Sequence, residues 1–265
     1  MPRLHAACAE VSAALALPRA PQLYVRRGAG GGVNAFSCAA VAPDAGAGGP
    51  SEGAIVLDSR LLELLDERET LAVLAHEASH LACEHGAWLS AAAALADAPP
   101  LALLPGGRRA ARGQLARWAR VAELTGDRAA LLVAGDANVV ISVLLKIAAG
   151  ATNASEPLST EAFVEQARAY DQTAGRDPLA SMLAGAAEGA LRHPLPVLRA
   201  REIDTWARSD EYRRLAAAHS GAKTVTTGAA GMGASSSTVP VVGHPEAVPT
   251  PSDAEESFHR AVDDR

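Results

Sequence analysis

Leu74-Ala75-His76-Glu77-Ala78-Ser79-His80-Leu81-Ala82-Cys83-Glu84-His85-Gly86 is the stretch from which the rest of the chain can be read. It contains His76-Glu77-Ala78-Ser79-His80, an HExxH pattern within a run whose apolar residues recur at helical period. Residues four apart on a helix stand one turn above each other, so both imidazoles can reach one Zn²⁺ at about 2.0–2.1 Å. Glu77 follows the first imidazole directly, so its carboxylate can lie beside the ion's open position and serve as general base. A chain of this His and Glu content is expected to hold about 0.01 such matches by accident. The spacing therefore predicts one zinc ion per chain, bound by His76 and His80.

A catalytic zinc needs a third protein ligand and one position left for water. Glu123, in Ala122-Glu123-Leu124-Thr125-Gly126-Asp127, is the candidate, with Asp127 four residues on and on the same helical face. Asp127 can accept a hydrogen bond from the far nitrogen of a ligand imidazole, which orients the ring and raises its basicity. An isolated ExxxD is ordinarily a solvated helix face, and the HExxH helix upstream is what gives this one its meaning.

Outward from these helices, residues 22–26 and 34–41 read as two short strands joined by a glycine-rich turn, and 54–58 as a third. The helix from about Glu67 is expected to close at Gly86, placed as a C′ glycine. Further helices are expected over 60–65, 108–134, 137–149, 160–170, 177–191, 195–208 and 209–218, the last capped by Ser209. Gly126 weakens its helix by about 1 kcal/mol relative to Ala. From residue 221 the chain is rich in Gly, Ser, Thr and Pro. The expected organisation is one domain over 1–220 and a disordered tail over 221–265.

Composition narrows the class. The 265 residues include 61 alanines, about 23% against a common usage near one in twelve, and only 3% aromatics. This points to closely packed Ala-rich helices rather than an aromatic β core. A net charge of -6, with no long basic run, argues against nucleic acid as a partner. Cys8, Cys38 and Cys83 form no CxxC pair and are expected to be buried, reduced thiols. The first 20 residues resemble a signal peptide only loosely, because His5 and Glu10 interrupt them, and they read as an amphipathic helix of the fold. Charged residues and prolines interrupt the later apolar stretches, so no transmembrane segment is expected, while peripheral membrane contact stays open.

The HExxH, the Glu123/Asp127 pair within AELTGDRAALL, the upstream Asn34-Ala35-Phe36 and the downstream His193-Pro194 with Arg199 together resemble metallopeptidase family forty-eight, the HtpX and CAAX prenyl protease type. The resemblance runs in order from about Leu4 to Tyr212. The surrounding residues look most like a soluble branch found in plants, algae and cyanobacteria. It implies an α+β, mostly helical, zincin-like (gluzincin) domain with a small antiparallel sheet. It also implies a zinc-dependent endopeptidase with His76, His80 and Glu123 as ligands and Glu77 as general base. Asp127 would support a ligand, His193 would either stabilise an oxyanion or hold a turn, and Arg199 would support the site. Asn34, Ala35 and Phe36 would lie on a sheet edge that receives an extended protein or peptide substrate, although Phe36 can equally be core.

Ser79 departs from the glycine usual at its position, and the absence of membrane helices disfavours a prenylated CAAX substrate. The resemblance suggests a plastid, and otherwise the reduced thiols suggest a soluble protein of the cytoplasm. The rival to a peptidase is a catalytically silent zinc-binding scaffold, which a structural zinc would usually close with four protein ligands.

Overall fold

The computed structural model describes residues 2–27, 33–40, 52–99, 103–149, 159–174 and 195–229. The order of elements is α1 (Pro2–Ala14), β1 (Gln22–Arg26), β2 (Ala35–Ala40), β3 (Glu52–Asp58), α2 (Ser59–Leu64), α3 (Glu67–Ala82), α4 (His85–Asp97), α5 (Gly107–Ala134), α6 (Ala137–Ala149), α7 (Thr160–Ala174), α8 (Pro196–Ala207) and α9 (Asp210–Ala229).

Helix α3 is central because it is apolar on more than one side. Ala72, Val73, Leu74, Ala75 and Ala78 are all buried, against α1, β2, β3, α5 and α6. Its start is set by a capping box: the Asp66 carboxylate accepts from the Glu69 amide and the Glu69 carboxylate from the Asp66 amide. Glu69 also reaches α6, accepting from Ser142 Oγ at 2.6 Å and Lys146 Nζ at 2.7 Å, so a buried carboxylate is fully satisfied while it ties two helices. Buried alanines occur on both of these helices, Ala72, Ala75 and Ala78 on α3 and Ala122, Ala129 and Ala130 on α5. The excess of alanine thus supplies small buried side chains to the two helices that carry the HExxH and Glu123.

Three sequence expectations need correction. The strands are where the alternation placed them, but the sheet is mixed, in the order β1-β3-β2, with β3 parallel to β1 and antiparallel to β2. β1 and β2 therefore do not form a hairpin; the buried Ile55 and Leu57 make β3 the natural centre, and it takes both neighbours. Second, α3 ends at Ala82, not Gly86. Glu84 takes the left-handed conformation (φ 52°) that breaks the helix, and Gly86 sits in the first turn of α4. Third, all three cysteines are free, but only Cys8 is buried; Cys38 is partly exposed and Cys83 exposed.

Ser209 caps the last helix as expected, its Oγ accepting from the Tyr212 amide at 3.1 Å, and α9 runs past residue 221 to Ala229. The expected helix over 177–191 and the rest of the tail lie outside the described residues. No helix among the described residues is long and apolar enough to cross a membrane.

Candidate metal centre

His76 and His80 lie on the face of α3 turned to α5, where Glu123 and Asp127 stand one turn apart. His76 Nε2 is 3.2 Å from His80 Nε2 and 3.6 Å from Glu123 Oε2, and His80 Nε2 is 3.9 Å from Glu123 Oε1. Tetrahedral ligands at about 2.1 Å from an ion stand about 3.4 Å apart, so these spacings match three corners of such a site. The ligand atoms of His76, His80 and Glu123 all lie within 4.8 Å of one another. This donor set, two neutral imidazoles and a carboxylate, is one that suits zinc.

Each member has a partner behind it. His76 turns Nδ1 to Asp127 Oδ1 at 3.2 Å. Asp127, almost fully buried, is gripped by Arg199 of α8 through Nε–Oδ2 at 2.8 Å and Nη2–Oδ1 at 2.6 Å. The same guanidinium places Nη1 3.3 Å from Glu123 Oε2. One arginine therefore holds both carboxylates of α5, in the bidentate geometry that a lysine cannot make. Burial alone would push the Asp127 carboxyl up; Arg199 and His76 outweigh it and hold it below the usual range. Burial likewise lowers His76, but hydrogen bonds with Asp127 and Glu123 outweigh it and raise its pKa to about 10. A divalent cation taking Nε2 displaces that proton. His80, with burial and the neighbouring His76 acting in the same direction, is lowered to about 3 and offers a neutral ring.

Three contributors were not foreseen in the sequence. His85, in the first turn of α4, places Nδ1 2.9 Å from His80 Nδ1. A cation on His80 Nε2 leaves the proton on Nδ1, so His85 Nδ1 is the acceptor. Accordingly His85→Ala should weaken zinc binding about tenfold, with His85→Asn recovering part of the loss through its carbonyl; a competition titration with a chromophoric chelator reads both. Unchanged affinity in His85→Ala would show the contact to be incidental. Its five-residue distance from His80 gave no signal, since within one helix that spacing faces away; the break at Glu84 brings it back.

Gly126 is the second. A Cβ at this position would lie 2.6 Å from His76 Cε1 and Nδ1, so the bare backbone of α5 is the wall against which the ring stands. The third is Ser37 on β2, whose side chain hydrogen-bonds Glu77. Glu77 is about 100° round α3 from His76 and so faces the sheet rather than α5. Burial raises the Glu77 carboxyl above its ordinary value, and Glu123 adds to the rise.

The other expected site residues are placed as follows. Asn34 precedes β2, its carbonyl accepting from the Asp58 amide at 3.0 Å, and Ala35 and Phe36 begin that strand. β2 lies at an edge of the sheet. Since Ser37 points to Glu77, Phe36 faces the opposite side, where the Arg26 guanidinium lies over its ring at 4.7 Å. Phe36 is thus partly exposed and outside the main core. Ser79 is buried, its Oγ donating to the His76 carbonyl at 2.7 Å within α3. His193 and Pro194 lie outside the described residues.

The fold and its donor set define a helical metal-site protein of the HExxH class. The model of Peptidase family M48 matches residues 1–207, and the chain belongs to that family. It is 50% identical over 165 residues to "Plastoglobule-localized metallopeptidase 48, chloroplastic" of Arabidopsis thaliana, covering 61% of this chain and 47% of that protein. The chain thus spans about half the length of that relative. No solved structure matches it significantly.

Proposed function

We propose that this chain is a zinc-dependent endopeptidase that hydrolyses peptide bonds in protein substrates. The observation that carries the reading is the triangle of His76, His80 and Glu123 donors at tetrahedral spacing, with the buried Glu77 carboxylate on the same helix and outside the donor set. One zinc ion would be held by these three residues, and when bound it acidifies water and polarises the scissile carbonyl.

Glu77 is the general base: its desolvated, raised carboxyl is suited to take a proton from the attacking water and pass it to the leaving nitrogen. Ser37 fixes the carboxylate from the sheet side. Asp127, His85 and Arg199 hold the ligands in orientation, and His193 is a candidate donor to the oxyanion. The edge strand β2, with Asn34, Ala35 and Phe36 at its start, receives the substrate in extended form. The name of the Arabidopsis relative supports both metallopeptidase activity and a plastid location.

Metal analysis and a casein assay test the proposal together. The purified chain is expected to carry one zinc, to lose cleavage when a chelator removes it, and to regain cleavage on stoichiometric zinc. Full zinc occupancy with no turnover on casein or unfolded proteins would identify a scaffold instead.

A further inference from the structure

The outward half of the α4–α5 hairpin is built unlike the rest of the domain. α5 has 28 residues and α3, on which it packs, has 16, so about 42 Å of helix meets about 24 Å. Every fully buried residue of α5 lies from Ala122 onward; residues 107–121 have none. This part of α5 and α4 form an arm whose tip carries Leu103 and Leu104, both exposed, the former by 77%.

The two sides of the arm differ in chemistry. Trp88 and Leu95 share one stripe of α4 at 57% and 69% exposure, and between His85 and Asp97 that helix has no charged residue. Across a shallow groove lined by Ala92, Leu95, Ala111, Leu115 and Trp118, the stripe continues onto α5 and ends at Val121. Arg109 and Arg117, both exposed, occupy the opposite side of α5, along a second groove that Arg120 also lines, and neither pairs with a carboxylate among the described residues. In all, residues 98–122 contain five arginines and no acidic residue, in a chain of net charge -6. Only Arg108 and Arg112 are balanced, both by Asp97.

We propose that the α4–α5 arm is a peripheral docking surface for a lipid surface bearing acidic headgroups. Exposed Trp and Leu on one side and unpaired arginines on the other are what a helix lying in a polar–apolar boundary requires: the apolar stripe enters the acyl region, and the arginines reach back to the phosphates. Charge complementarity with anionic headgroups selects this occupant, since residues 98–122 carry five arginines and no acidic residue beside the apolar stripe. The site residues take no part, so docking stands or falls separately from catalysis.

The full chain should co-sediment with phosphatidylglycerol vesicles and much less with phosphatidylcholine vesicles, and high salt should weaken the binding. Trp88 and Trp118 are two of its three tryptophans and Trp206 is buried, so tryptophan emission should shift to the blue on docking. The double variants Leu95→Glu/Leu104→Glu and Arg109→Glu/Arg117→Glu should each reduce the bound fraction at least about tenfold while melting like the parent, because all four side chains are exposed. The proposal is overturned if the parent chain binds neither vesicle, binds both equally, or binds as well with either double variant. A dimer in light scattering that Leu95→Glu/Leu104→Glu converts to monomer, with no vesicle binding by the parent, would assign the face to a second copy instead.

Discussion

Glu77→Gln is expected to bind zinc as tightly as the parent chain and to cut casein about 10³-fold more slowly. The carboxylate is not part of the His76, His80 and Glu123 donor set, so its loss leaves the ion's protein ligands intact. The amide has the same shape, and it can still hydrogen-bond Ser37. What it cannot do is accept a proton. Its effect on stability has a definite sign. Burial raises the Glu77 carboxyl in the folded protein, so at neutral pH ionisation of this group opposes folding, and that cost falls away as pH drops toward the ordinary carboxyl value. A neutral Gln removes the cost, and the melting temperature should not fall. Casein cleavage at the parental rate would exclude Glu77 as the base. Loss of zinc would show that the side chain holds the ion directly or indirectly.

Gly126→Ala is expected to lose at least about 100-fold in zinc affinity, and cleavage with it, although alanine is the better helix former by about 1 kcal/mol. The added methyl would stand 2.6 Å from two atoms of the His76 ring and 2.9 Å from Nε2, where carbon contacts settle at about 3.5–4.0 Å. The ring is buried and turned by Asp127, so it cannot retreat without breaking the Nδ1 contact and moving Nε2 out of the triangle. Helix α5 itself should survive, and circular dichroism should report an intact fold with a failed metal site. Zinc binding equal to the parent's would mean that α3 and α5 can separate by about an ångström at no cost. The close packing of the Gly126 backbone against the buried His76 ring argues against that.

These two residues show how differently parts of the site could be read. Glu77 was legible because its neighbour His76 and the imidazole of His80 lie on one helix, where spacing alone sets the relation between side chains. Gly126 looked like a defect in a helix, because its purpose depends on a ring from another helix 50 residues upstream. The strands were legible from alternation, but their order was not. Adjacent strands with a short glycine-rich connection suggested a hairpin, and the apolar content of β3 instead drew both partners to it.

By itself the sequence determined what is local: the helical face bearing His76 and His80, the one-turn spacing of Glu123 and Asp127, the start of α3 near Glu67 and the abundance of alanine in the helices. Helical geometry relates such residues at fixed distances whatever the remainder of the chain does. Only the tertiary structure decided that Arg199 grips Asp127 and Glu123 together, that His85 backs His80 and Ser37 meets Glu77, and that the α4–α5 arm projects with its tryptophans uncovered. Those relations join residues from different elements. They are set by which faces the packing of α3 against its neighbours buries, a choice made by the whole core at once.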